Sequence, residues 1–248
     1  MIRYLRFLAG RERTTEANRH LGLTLAFVAG AVNAGGFLAV SQFTSHMTGV
    51  LSLIAENLAV KNATLVAAGL SSFAAFLAGA ATSAVLANWA RRKELQSEYA
   101  LSLLLESGLL TAFGLLGHNL DAYSGPSATL TVLLLCYVMG LQNAIITKIS
   151  GAEIRTTHMT GNATDLGIEL GKLFYWNIGG VSGENVNANR DKLKIQAILI
   201  ASFIAGGCLG ALGFKHLGFG VTLPISALLL ILAVGPVWED LAPHSEIP

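Results

Sequence analysis

The sequence predicts an all-α polytopic membrane protein with about six transmembrane helices, two short re-entrant helices and an inverted internal repeat. The prediction rests on composition, on six long apolar runs, and on a short polar motif that occurs twice. Of 248 residues, 53% are hydrophobic and 12% are charged, whereas soluble domains carry about 25% charged residues. The net charge of +1 says nothing about nucleic acid, and we expect no nucleic-acid partner.

Six apolar runs are long enough to cross a bilayer, which takes about 20 helical residues. They are hydrophobic on all sides, which is typical of membrane helices rather than of amphipathic ones. Cys136 and Cys208 lie inside such runs without metal-ligand spacing and are interpreted as buried apolar side chains. The predicted spans are residues 21–41, 62–89, 100–120, 127–147, 195–214 and 217–238.

The motif His-Met-Thr-Gly occurs at residues 46–49 and again, 112 positions later, at 158–161. Each copy leads into a short segment, residues 48–60 and 160–171. As helices these segments span roughly 18–20 Å, short of a hydrocarbon core of about 30 Å. We therefore expect both segments to enter the membrane and return to the side from which they entered. Full crossing stays open, because extension backward through the motif reaches spanning length.

The distribution of Lys and Arg favours the re-entrant arrangement, because basic residues collect on the cytoplasmic side. With six spans, 14 of the 16 basic residues lie on the side of the N-terminus, and only Lys61 and Lys215 lie opposite. With eight spans the division becomes 10 to 6. Both chain termini are therefore expected in the cytoplasm.

We expect residues 1–248 to form a single membrane domain. Residues 1–20 form a cytoplasmic segment with five arginines and no removed presequence, residues 21–120 and 127–238 form the two repeats, and residues 174–194 form a cytoplasmic loop. Three spans per repeat place the halves in opposite orientations, a plan common in transporters. The small-residue pairs Ala26/Gly30, Ala74/Ala78 and Gly206/Gly210 predict close helix packing.

The candidate solute site is the pair of helix breaks at the motifs. Thr48 and Thr160 are predicted N-caps of the short helices, whose positive ends can hold an anion. Each motif histidine can carry a proton or donate to a solute. The asparagines within the spans either bind solute or link helices. The predicted binding residues are His46, Met47, Thr48, Gly49, His158, Met159, Thr160, Gly161, Asn162, Asn33 and Asn143.

Acidic residues within membrane segments are costly and are functional candidates. We predict coupling or gating roles for Asp165, Glu106 and Glu56, although a solvated position is also expected for Glu56 and Glu169, near their segment ends. Two histidines without a suitable third ligand give only weak evidence for a metal, and we expect neither a metal site nor a cofactor. Sequence signatures of soluble enzymes are also missing.

The pattern Gly-x-x-Asn-Ala followed by Met-Thr-Gly-Asn, in six apolar spans, resembles the YoaK-like bacterial inner-membrane proteins, a domain of unknown function. The likeness covers residues 21–238. Two departures are Asn33, where such proteins often have Asp, and Val50, where they often have Asn. The resemblance implies a bacterial inner membrane and a transport role. It rests on Gly30, Asn33, Ala34, Met47, Thr48, Gly49, Met159, Thr160, Gly161 and Asn162.

The sequence thus predicts a transporter or channel for a small polar or anionic solute, and not an enzyme. Its expected partners are the lipid bilayer and the solute, and homo-oligomer formation is left open. A non-catalytic scaffold is one alternative, and it predicts packed re-entrant loops with no cavity between them. A membrane-embedded enzyme acting on a lipid or quinone is the other, and it predicts a polar cluster that opens sideways to lipid.

Overall fold

The computed structural model describes residues 8–11, 13–40, 42–120, 126–151, 156–175 and 186–241. Throughout these residues the regular structure is helical, which confirms the all-α prediction. The helices are α1 (Thr15–Val40), α2 (Met47–Ala59), α3 (Ala63–Arg92), α4 (Ala100–Leu120), α5 (Pro126–Ile149), α6 (Met159–Phe174), α7 (Arg190–Leu217) and α8 (Thr222–Leu241), with a 3-10 turn at Gly218–Val221. Residues 1–7 and 12 of the predicted N-terminal segment, and residues 176–185 of the predicted 174–194 loop, lie outside the described residues.

Several helices have the length and composition of membrane spans. Four described stretches qualify: Thr15–Leu38, Ala63–Arg92, Leu130–Ile149 and Arg190–Leu241, the last of which contains both α7 and α8. Helices α2 and α4 contribute shorter apolar segments, Met47–Ala59 and Ala100–Leu115. The chain is therefore a helical protein of membrane type.

Helices α1 and α7 cross at glycines. A Cβ added to Gly30 would meet the backbone carbonyl of Phe203, and one added to Gly206 would meet the carbonyl of Phe27. Because only glycine leaves room for this approach, the backbones pack directly against each other. This confirms the close contact predicted from the small residues of both helices.

Helices α3 and α5 cross in the same way. A Cβ on Gly79 would meet the carbonyl of Tyr137, and one on Gly140 would meet the carbonyl of Phe76. The contact therefore lies one residue beyond the predicted 74–78 pair. Together with the packing of α4 on α8, these two crossings make the most extensive helix interfaces, and each joins the first half of the chain to the second.

One end of the helix bundle carries most of the described positive charge. Hydrogen bonds show which helix ends meet there. Asp240, at the end of α8, accepts hydrogen bonds from the backbone N–H groups of Gln96 (2.7 Å) and Ser97 (2.9 Å), which lie just before the start of α4. Lys148 at the end of α5 donates to Asn88 near the end of α3 (2.9 Å). We call this the basic end. The basic residues in or beside the helix termini there are Arg11, Arg13, Arg19, Arg91, Arg92, Lys93, Lys148, Lys172, Arg190, Lys192 and Lys194.

Helix α2 accompanies only part of α3. It forms an antiparallel hairpin with α3 through a turn at Lys61, and Ile54 of α2 packs where a Cβ of Gly69 would lie. With 13 residues against the 30 of α3, α2 covers only the half of α3 farthest from the basic end.

Helix α6 packs against the start of α7, at the basic end. The carboxylate of Glu169 accepts hydrogen bonds from the backbone N–H of Asn189 (2.7 Å) and from Lys172 Nζ (2.9 Å). Glu169 is buried, so the expectation that it is solvated is wrong. Its two donors compensate for the desolvation of the carboxylate and link the two helices.

Candidate functional site

The two copies of the motif lie on one cavity of about 330 Å³. Its lining comes from both halves of the chain and is mostly polar at the motifs. We call it the motif cavity, and it is lined by Ser45, His46, Met47, Thr48, Phe76, Asn143, Thr147, Thr157, His158, Met159 and Thr160. Seven of the eleven predicted binding residues therefore converge there.

Each motif is positioned by an asparagine of the preceding long helix. Asn33 Oδ1 of α1 accepts hydrogen bonds from Ser45 Oγ (3.0 Å) and from Ser45 N–H (3.3 Å). At the matching position in the second half, Asn143 Oδ1 of α5 accepts a hydrogen bond from Thr157 Oγ1 (2.6 Å). Since both asparagines lie well before the ends of their helices, each loop must return alongside the helix it has left. Of the two asparagines, only Asn143 lines the cavity.

The motif glycines provide space for the motif histidines. A Cβ on Gly49 would overlap the ring of His46, and a Cβ on Gly161 would overlap the ring of His158. Each histidine is the N-cap residue of its short helix but makes no side-chain cap hydrogen bond. The prediction of Thr48 and Thr160 as N-caps is therefore wrong, because the N-caps of α2 and α6 lie two residues earlier.

The motif cavity lies at the middle of the bundle and at the start of both short helices. Phe76, which lines it, is near the middle of α3, and α2 runs from the cavity away from the basic end. Helix α6 runs from the cavity toward the basic end. Two helix N-termini therefore point at one space from opposite directions, each with a partial positive charge of about half a unit. With the hydroxyls of Thr48 and Thr160, the arrangement favours an anion or an electronegative polar group.

The remaining predicted site residues lie outside the cavity lining. Asn162 is buried in α6 and Glu56 is exposed on α2. Asp165 forms an ion pair with Lys192 Nζ at 3.5 Å. Glu106 is fully buried in α4, and neither of its carboxylate oxygens has a hydrogen-bond partner among the described residues. The structure does not bring these acids to the motif cavity, and their coupling roles stay predictions.

Four of the lining residues were absent from the predicted site. Ser45 and Thr157 were detectable, because they occupy matching positions immediately before the two motifs. Phe76 and Thr147 come from the middle of α3 and the end of α5, and no local sequence signal marks them. Their place in the cavity follows only from the crossing of those two helices.

A comparison with known proteins identifies the family. No curated protein and no solved structure matches the chain. A family model described as "Protein of unknown function (DUF1275)" matches residues 21–235, nearly the extent of the predicted resemblance, which confirms that the chain falls in a family of unknown function. With most of its length covered by that model, the chain belongs to the DUF1275 family.

Proposed function

We propose that the protein passes a small polar or anionic solute across a bacterial inner membrane by way of the motif cavity. The observation that carries the proposal is the convergence of two motifs, 112 residues apart, on one cavity at the middle of the bundle whose lining includes hydroxyl, imidazole and amide side chains. Non-helical backbone at membrane depth is tolerated only where protein buries it or where it lines a water-filled cavity, so the position of both motif loops beside one cavity supports a solute path there.

The proposal includes six spans, two re-entrant half-helices and an inverted repeat. Two features support it. The basic end collects the start of α1 and the ends of α3 and α5, as six spans require and eight do not. The helix contacts also match under exchange of the halves: α1 packs on α7 as α5 packs on α3, and α2 packs on α3 as α6 packs on α7. The basic end then faces the cytoplasm, with both termini.

The presence of a cavity favours transport over the scaffold alternative, which predicts closely packed loops. An enzyme acting on lipid needs an acid or base beside its substrate. The described acids Glu106, Glu56 and Asp165 lie outside the lining of the motif cavity. The motif histidines alone would therefore have to act as both acid and base. We therefore keep passage of solute as the function.

The test is a flux assay on the purified protein in liposomes, with chloride, nitrate, formate, acetate, urea and glycerol as probes. We expect at least one probe to cross faster than through protein-free liposomes. The double variant Thr48→Val, Thr160→Val removes two donors, each contributing about 1 kcal/mol, so flux should fall about tenfold or more.

The matched control is Thr164→Val, which changes an exposed threonine of α6 that bonds its own helix (2.8 Å to the carbonyl of Thr160). Its flux should equal that of the unmodified protein. Equal flux in the double variant and the control, for every permeant probe, would refute a path through the motif cavity.

A further inference from the structure

A second polar cavity, of about 330 Å³, opens at the basic end between the starts of α1 and α7. It is distinct from the motif cavity and shares no residue with it. We call it the headgroup cavity. Its lining is polar except for one isoleucine, and consists of Thr15, Asn18, Arg19, Ser150, Asn189, Asp191, Lys192, Ile195 and Gln196. No predicted site residue lies in it.

The headgroup cavity has the features of an anion site. Arg19 and Lys192 supply positive charge, and α1 and α7 both begin at its wall. Arginine binds phosphate oxygens in a paired geometry, and helix N-termini favour the same ligand. Lys192 Nζ also forms an ion pair with Asp165 at 3.5 Å, so Arg19 is the principal cation of this cavity.

Gln196 indicates that the ligand must also donate a hydrogen bond. Its side chain is 3% exposed, and Oε1 has no partner among the described residues. An amide oxygen buried without a donor is costly. Asp191, in the same wall, is also an acceptor. An ionised phosphodiester has no hydrogen atom to donate to either of them, whereas the hydroxyls of a headgroup do.

A further cavity, of about 420 Å³, adjoins the headgroup cavity and shares Arg19, Asp191 and Ile195 with it. Moving along α1 and α7 away from the basic end, its wall becomes apolar at Leu23 and Ile198. A polar pocket followed by an apolar wall matches the order of the headgroup and the acyl chain in a phospholipid. Glu16, His20 and Lys194 also line this cavity.

We propose that these two cavities bind an anionic glycerophospholipid with a hydroxylated headgroup, of the phosphatidylglycerol class. The phosphate contacts Arg19 and the N–H groups at the helix starts, the glycerol hydroxyls donate to Gln196 Oε1 and Asp191, and an acyl chain lies along Leu23 and Ile198. Basic pockets between membrane helices at the cytoplasmic side suit such lipids. This proposal does not depend on the transport proposal.

The test measures binding of short-chain lipids to the full chain in detergent. The probes are phosphatidylglycerol, phosphatidylmethanol, which is anionic without headgroup hydroxyls, and zwitterionic phosphatidylcholine. We expect phosphatidylglycerol to bind most tightly and phosphatidylcholine most weakly. Glycerol 3-phosphate should bind at least tenfold more weakly than phosphatidylglycerol, and equal binding would identify a soluble phosphate ligand and overturn the lipid assignment.

Two variants distinguish the contact of the phosphate with Arg19 from that of the headgroup hydroxyls with Gln196. Arg19→Gln should weaken both anionic lipids at least fivefold, and Gln196→Leu should abolish the preference for phosphatidylglycerol over phosphatidylmethanol. Lys215→Gln, at the opposite end of α7, is the control and should change neither affinity. An equal loss in Lys215→Gln and Arg19→Gln, or the absence of any preference among the three lipids, would overturn the proposal.

Discussion

At the scale of single residues, the two motif loops depend on one side-chain acceptor each. Thr157→Val removes the donor that Asn143 accepts from at 2.6 Å while keeping the shape of the side chain. We expect a loss of about 1 kcal/mol in unfolding free energy, measured by reversible denaturation in mixed micelles. Thr164→Val should leave the stability nearly unchanged. An equal effect of the two changes would argue against a specific role for the Asn143 bond.

A single residue at the basic end, Tyr99, is also expected to make the stability of the fold decrease at alkaline pH. Burial, followed by the charge of Glu98, raises the pKa of Tyr99, whose ring packs against Arg13 at 4.7 Å. Because the folded pKa exceeds the unfolded value of about 10, Tyr99 contributes stability below pH 10 that is lost as pH rises through the folded pKa.

Melting temperatures measured between pH 8 and 11.5 test this dependence. The Tyr99→Phe variant should show a shallower alkaline decline than the unmodified protein, whereas Tyr175→Phe, at an exposed tyrosine, should not. Parallel curves for all three proteins would contradict the prediction.

At the scale of elements, the crossing of α1 and α7 depends on the absence of a side chain at Gly206. Gly206→Ala places a methyl group against the carbonyl of Phe27 and should cost about 1–3 kcal/mol in unfolding free energy by forcing the helices apart. Gly108→Ala, in α4 where a Cβ meets nothing within 4 Å, should instead gain up to about 1 kcal/mol. A gain in stability in both variants would mean that helix propensity, rather than close packing, determines the result.

The elements also show what the sequence can and cannot reveal. The long helices follow the apolar runs, and α4 matches its predicted bounds, because hydrophobicity over 20 residues is a local property. The N-caps were misassigned because His46 and His158 are positioned by their own glycines, three residues later, while Asn33 and Asn143 hold the loops from other elements. The burial of Glu169 was missed because its second donor, Asn189, lies across a loop. Such contacts depend on tertiary packing.

At the scale of the whole molecule, the proposed topology places Lys61 on one side of the membrane and both Arg92 and Lys172 on the other. Single cysteines at these positions, with Cys136 and Cys208 replaced, should be labelled by an impermeant maleimide accordingly. Labelling of Lys61→Cys from the same side as Lys172→Cys, with Arg92→Cys on the opposite side, would mean that α2 and α6 cross the membrane and would contradict the proposed topology. Cysteine at Thr160 should react with small reagents and not with bulky ones.

The glycine crossings have a consequence for how the chain assembles. The most extensive interfaces, α1 with α7, α3 with α5 and α4 with α8, all join residues before the 121–125 linker to residues after it. Neither half therefore has an interior of its own, and a fragment produced alone would expose backbone where its partner belongs. Cut at the linker and coexpressed, the two fragments should recognise each other through Gly30, Gly79, Gly140 and Gly206 and reconstitute the bundle. The covalent linker would then set only their stoichiometry.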